Sequence, residues 1–364
     1  MNHIIRKIAG ILMLSALALP TEAQQTKILT ADKHNEYGLI YSLPKTAFDV
    51  KVTAIREVRE AGPYYQYAKK FMGTDQVVKE NAEVWTIKSV ELRPYGVSNP
   101  DSRYLMQFKP GALGYIGVAE DGMLLSINTE PEEPASEAEG EEAPIEGEIL
   151  ADREYLQYVD EDFIASQSKA KQAQMLAESL MEIRDAKISL TRGTAETMPT
   201  DGKQLELMLN SLRHQEAAVS AAFIGNVTKE TVVRHFTFLP EEDGRTILFR
   251  MSDFAGFVDA DDYSGEPVYV NVEVTNRGEL PSDSKGEAKK MPKDGVAYCV
   301  PGAAEISLSL KGKNLFEKEY EVAQFGVVFG LNPSLFSDKK KPSYARFDAA
   351  TGALLEIGET KEEQ

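Results

Sequence analysis

The residues with the best claim to chemistry are the acids of the run Asp259-Ala260-Asp261-Asp262-Tyr263-Ser264-Gly265-Glu266. Asp259, Asp261, Asp262 and Glu266 bring hard oxygen ligands into one loop between strand patterns, and calcium is the cation such ligands suit. The spacing misses the twelve-residue helical calcium loop, and Asp, Ser and Gly are also what a solvated hairpin turn uses. The turn is the favoured reading, and no cofactor is expected. His34, His214 and His235 lie far apart in unlike contexts, and Cys299 is the only cysteine, so no zinc-ligand pattern exists. Ser166-Gln167-Ser168-Lys169 has the Ser-x-x-Lys spacing of penicillin-binding enzymes, but the same spacing recurs at Ser282 and Ser337 and the partner motifs are missing. Neither a Gly-x-Ser-x-Gly elbow nor a phosphate-cradling glycine loop is present. A pair of glycosidase carboxylates would leave no local signature, because its two acids come from distant parts of a chain.

Two further charges are marked by where they sit. Ala173, Leu176, Ala177, Leu180, Ile183 and Arg184 fall on one side of a helical pattern, and Leu205, Met208, Leu209, Leu212, Glu216 and Val219 on one side of the next. Asp201 with Gln204 signals the start of the second helix, and Gly225 suits its end. Two such helices joined by a modest loop are expected to pack antiparallel. An unpaired charge in their interface would cost several kcal/mol, so Arg184 and Glu216 form a candidate structural pair. Both residues come late in their helices. Direct contact therefore asks for a stagger or a kink, and otherwise each bonds to a neighbouring β region.

These elements sit in a chain of 364 residues with a formal charge of -18. The acidic balance, with no basic patch interleaved with aromatics, argues against nucleic acid as a partner. Residues 1–23 combine Arg6 and Lys7, an apolar run from Ile8 to Leu19, and Thr21-Glu22-Ala23, the pattern of a signal peptide removed before Gln24 or Gln25. Nothing later is apolar enough to span a membrane. The chain is expected to be exported, to a periplasm or outer cell surface, where a disulfide-free protein suits a bacterial envelope. Residues 129–150 hold nine Glu and three Pro with no basic residue and read as a disordered acidic linker.

The remainder divides into an N-terminal β-rich domain with a short helix (27–128), a helical region (151–225) and a C-terminal β-rich domain (226–360). Phe48, Val50 and Val52, and later Val268, Val270, Val272 and Val274, alternate with the period of a half-buried strand. Gly62-Pro63-Tyr64 to Gly73 suits a short helix whose tyrosines favour a core over a sugar-stacking platform. The fold class is α+β, two β-rich, sandwich-like units flanking a central antiparallel helical pair. Residues 119–127 resemble residues 349–357, and the strand ending Leu43-Pro44 is echoed by Leu239-Pro240, so an internal duplication is open to test.

Tyr41-Ser42-Leu43-Pro44-Lys45-Thr46, the block from Gly62 to Gly73, and the helical pair with Arg184, Gly193, Asp201-Gly202 and Glu216 resemble a family of exported proteins from Bacteroides and related bacteria that carries a domain of unknown function. The resemblance covers nearly all of the mature chain. It implies a signal peptide and an envelope location, and it carries no catalytic or binding residue with it. The functional expectation is a non-enzymatic scaffold or binding module for a protein or surface polymer of the envelope. The alternative is a hydrolase of polysaccharide or peptide, which would need two free acids in a cleft.

Overall fold

The computed structural model describes residues 38–107, 115–132, 145–282, 286–290, 292, 295–336 and 342–359. Residues 1–23, read above as a signal peptide, and most of the acidic run lie outside the described residues. The fold is α+β with a predominance of strand.

Strand β1 (Gly38–Glu60) runs unbroken through Pro44 and pairs antiparallel with β2 (Ala82–Gln107). The expected strand end at Pro44 is therefore corrected. The proline sits at the register shift and beyond the part of β1 that pairs with β5, where a strand tolerates a missing N–H. On its other side β1 pairs with β5 (Asn226–Phe238), from Phe48↔Phe238 to Glu60↔Asn226. A five-stranded sheet has the order β10-β9-β8-β6-β7, with β6 at Gly244–Ser252, β7 at Gly256–Val258, β8 at Glu266–Asn276, β9 at Val296–Leu310 and β10 at Lys313–Leu331. The third sheet, β12-β11-β4-β3, joins β3 (Ile116–Val118) and β4 (Leu124–Ile127) to β11 (Ser343–Phe347) and β12 (Leu354–Glu359).

The period-two pattern explains the main core. Phe48, Val50 and Val52 of β1 meet Val268 and Val270 of β8 and Ile306 and Leu308 of β9, all fully buried. Each contributes roughly 1.5–3 kcal/mol. A second core gathers Tyr41, Leu124, Ile127, Tyr298, Ala345 and Phe347 around the small sheet. Strands from both ends of the sequence share each core, so the expected pair of β units flanking the helices is corrected to one interleaved β body. Hydrogen bonding between residues far apart in sequence produced this, and local periodicity cannot report it.

The repetition survives inside this body, in a different register from the one expected. Tyr41-Ser42-Leu43-Pro44 on β1 corresponds to Tyr298-Cys299-Val300-Pro301 on β9, not to the stretch ending Leu239-Pro240. The Ser42 amide donates to the Gly122 carbonyl at 3.0 Å, and the Cys299 amide donates to the Gly352 carbonyl at 3.0 Å. Both glycines turn a short hairpin with positive φ, 84° and 70°. Each long hairpin also carries an irregularity of the same size, offset by one residue in this alignment. Leu43 faces residues 99–102 between the pairs Ser42↔Arg103 and Pro44↔Ser98, and Pro301 faces residues 323–326 between Val300↔Val327 and Gly302↔Val322.

Candidate functional site

The repeat shows where the two halves differ. Strands β9 and β10 are joined by the turn Lys311-Gly312, whereas residues 61–81 are inserted between β1 and β2. A larger insertion before β5 carries α2 (Glu161–Ala165), α3 (Lys169–Arg192) and α4 (Gly202–Ile224). The two insertions pack on each other. Tyr64 and Ala68, the latter opening α1 (Ala68–Met72), share a core with Leu176, Leu180, Val219 and Phe223. Tyr64 donates from its hydroxyl to Gln172 at 3.1 Å and from its amide to the Ala222 carbonyl at 2.9 Å, so this tyrosine is core. Gly62 has to be glycine, since a Cβ there would lie 2.5 Å from the carbonyl oxygens of Ala221 and Ala222.

Where this helical module meets the ends of β1 and β5 lies a cavity of about 290 Å³, lined among others by Glu60, Asn81, Asp152, Arg153, Tyr155 and Asn226. Arg153 has φ of 53°, a left-handed conformation that a non-glycine residue adopts at a cost. One wall belongs to a strap, residues 145–153. The strap is tied to β5 by two backbone bonds between Glu146 and Lys229, 2.9 and 2.8 Å, and by Asn226 Nδ2 donating to the Glu148 carbonyl at 3.0 Å. Those bonds correct the reading of residues 129–150 as a disordered linker at its described end, where Glu146 and Glu148 are tied to β5.

His214 of α4 completes the tie. Its Nδ1 lies 2.7 Å from Glu148 Oε1 and its Nε2 lies 2.5 Å from Glu154 Oε1. The bonds from Glu148 and then Glu154 raise the imidazole pKa above its ordinary value. The Ala151 amide, donating to Glu154 Oε2 at 2.7 Å, and next His214 hold the Glu154 carboxyl below the usual range.

The structure brings Arg184 and Glu216 together, with Arg184 Nε donating to Oε1 at 2.8 Å, and places Lys187 Nζ on Oε2. Burial would raise the Glu216 pKa, but the bonds from Lys187 and Arg184 outweigh it and leave the group low. Arg184 is the sixteenth of 24 residues in α3 and Glu216 the fifteenth of 23 in α4, so each lies about two-thirds along its helix, as the sequence indicates. Lys187 was missed, although its spacing of three from Arg184 marks the same face. The second apolar stripe is corrected in part: Ala218, Val219, Ala222 and Phe223 are buried, but Met208 is exposed and Leu205, Leu209 and Leu212 are half-buried.

Asp259, Asp261 and Asp262 lie in a turn, and Glu266 opens β8. The Asp262 amide donates to the Asp259 carbonyl at 3.0 Å, and Asp262 Oδ1 accepts from the Ser264 amide at 2.8 Å, which lowers its pKa. Among the described residues no group of three or more His, Cys, Asp or Glu side chains is placed to hold a metal ion.

The profile of a family described as "Domain of unknown function (DUF4831)" matches residues 37–355. The chain belongs to this family. The DUF4831 match runs across both β regions and the helical insertions, in keeping with a single interleaved body. No curated protein and no solved structure matches the chain. Among the described residues no helix is long and apolar enough to cross a membrane.

Proposed function

We propose that the chain is a non-enzymatic, exported protein of the cell envelope, a binding module whose protein or surface-polymer partner docks at the cavity beside the strap. The observation that carries this reading is the convergence of both insertions, the parts that break the internal repeat, on one polar cavity. In this reading α3 and α4 form an antiparallel pair that buttresses the site. The pattern of residues 1–23 supports export to a periplasm or outer surface, and the charge of -18 opposes nucleic acid.

The hydrolase reading finds less support in the same cavity. Glu154 has both oxygens engaged, by Ala151, His214 and Tyr158, and a catalytic acid needs a free one. Among the described residues that line it, Glu60 and Asp152 are the acids that remain.

A photo-cross-linker placed at Asp152 in intact cells tests the proposal, with Lys313 at the β9–β10 turn as the control position. A defined adduct at 152 and none at 313 supports it, and equal labelling at both overturns it. Cleavage of an envelope polysaccharide that is lost in Glu60→Gln and Asp152→Asn would instead establish the hydrolase. Amino-terminal sequencing of the mature protein checks export, with Gln24 or Gln25 expected first.

A further inference from the structure

A neutral imidazole has one N–H donor and one acceptor nitrogen, whereas His214 presents both nitrogens to carboxylate oxygens, at 2.7 and 2.5 Å. With one proton, the ring could donate to one acid and would turn a lone pair toward the other. With two, it makes two charge-assisted bonds. We propose that His214 is a proton-operated latch that holds the strap against the cavity and releases it when the imidazolium loses its proton. This rests on the reading of that cavity as the binding site for its biological consequence, and on the geometry alone for the latch itself.

The acid that leaves on deprotonation is Glu148. Glu154 is 10% exposed and is held in addition by the Ala151 amide and the Tyr158 hydroxyl, while the Glu148 side chain is 49% exposed. No side chain from Ile145 to Ile149 is buried, so polar contacts alone dock this stretch. Gly147 has φ of 100°, and a Cβ on it would lie 2.4 Å from the Val227 carbonyl oxygen, so the docked backbone lies tightly against β5. The charged groups facing the ring are Glu148 from the strap and Glu154 from the 3₁₀ turn Glu154–Tyr158. From α3, Arg184 and Lys187 engage Glu216, and on α4 Arg213 bonds Asn210.

The raised pKa sets the sign. The latch is fully closed below the ordinary imidazole value of about 6.5 and opens as pH rises through the folded value above it.

The test is amide exchange on the full chain between pH 5.5 and 9, read as protection factors for Glu146 and Lys229, alongside ring nitrogen NMR of His214. In the native protein protection falls at least tenfold with a midpoint at the imidazole pKa. His214→Gln shows low protection at every pH. Glu148→Gln separates a latch from general destabilisation, because a neutral imidazole can donate to Glu154 and accept from the Gln amide. This variant keeps its protection without a step. Flat protection in the native protein, or an unchanged step in Glu148→Gln, overturns the proposal. A clear step together with equal cross-linking at 152 and 313 would leave the latch standing and remove only the binding-site reading.

Discussion

Glu216 stands between Arg184 and Lys187 with its side chain 20% exposed, so replacing the carboxylate strips two cations of their partner at once. Glu216→Gln is expected to destabilise by about 1 to 3 kcal/mol, read as a lower urea midpoint at pH 7. The lowered pKa means that the carboxylate contributes fully above the ordinary value of about 4.3 and loses that contribution as pH falls through the folded value. The gap between the native midpoint and that of the variant should therefore close on acidification, and a gap constant from pH 7 to 3 would show that charge is not the cause. Arg184 and Glu216 were legible in the sequence because each interrupts an apolar stripe. The partners of His214 were not, since they come from 66 and 60 residues earlier, before both long helices, and Glu148 belongs to the acidic run itself. Cys299 is a free, buried thiol. Burial pushes its pKa up to about 12, so native protein should resist thiol reagents at pH 8.

At the scale of elements, most strand positions and the apolar face of α3 could be read from periodicity, and Asp201 caps α4 by accepting from the Gln204 amide at 2.8 Å. What was not legible was continuity. Pro44 and the stretch from Glu91 to Tyr104 look like breaks, but β1 and β2 pass through them by shifting register. The repeated hairpin makes a paired prediction. Gly122 and Gly352 both hold left-handed φ, so alanine at either costs on the order of 1 kcal/mol. At Gly352 the new Cβ would also lie 2.8 Å from Pro44 Cδ, whereas at Gly122 it meets nothing within 4 Å. Thermal unfolding should thus rank Gly352→Ala below Gly122→Ala. Equal losses would show that the two turns are not seated differently against β1.

For the whole molecule, the claim that organises everything else is that the first and last β stretches form one body. Bonds that cross between them are buried and long in range: the Tyr41 hydroxyl donates to the Ala297 carbonyl at 3.0 Å, and the Ala323 amide donates to Thr46 Oγ1 at 2.9 Å, 277 residues away. Such pairings have no local signature, which is why the sequence reads as two units. The chain carries one natural probe for each stretch, Trp85 on β2 and the buried Cys299 on β9. Urea unfolding followed by Trp85 fluorescence and, in parallel, by Cys299 labelling is the most direct test. The two transitions should share one midpoint, and Val50→Ala, which truncates a fully buried β1 side chain, should lower both equally, by about 2 kcal/mol. Two separated midpoints, or a Val50→Ala effect confined to the Trp85 transition, would contradict the account.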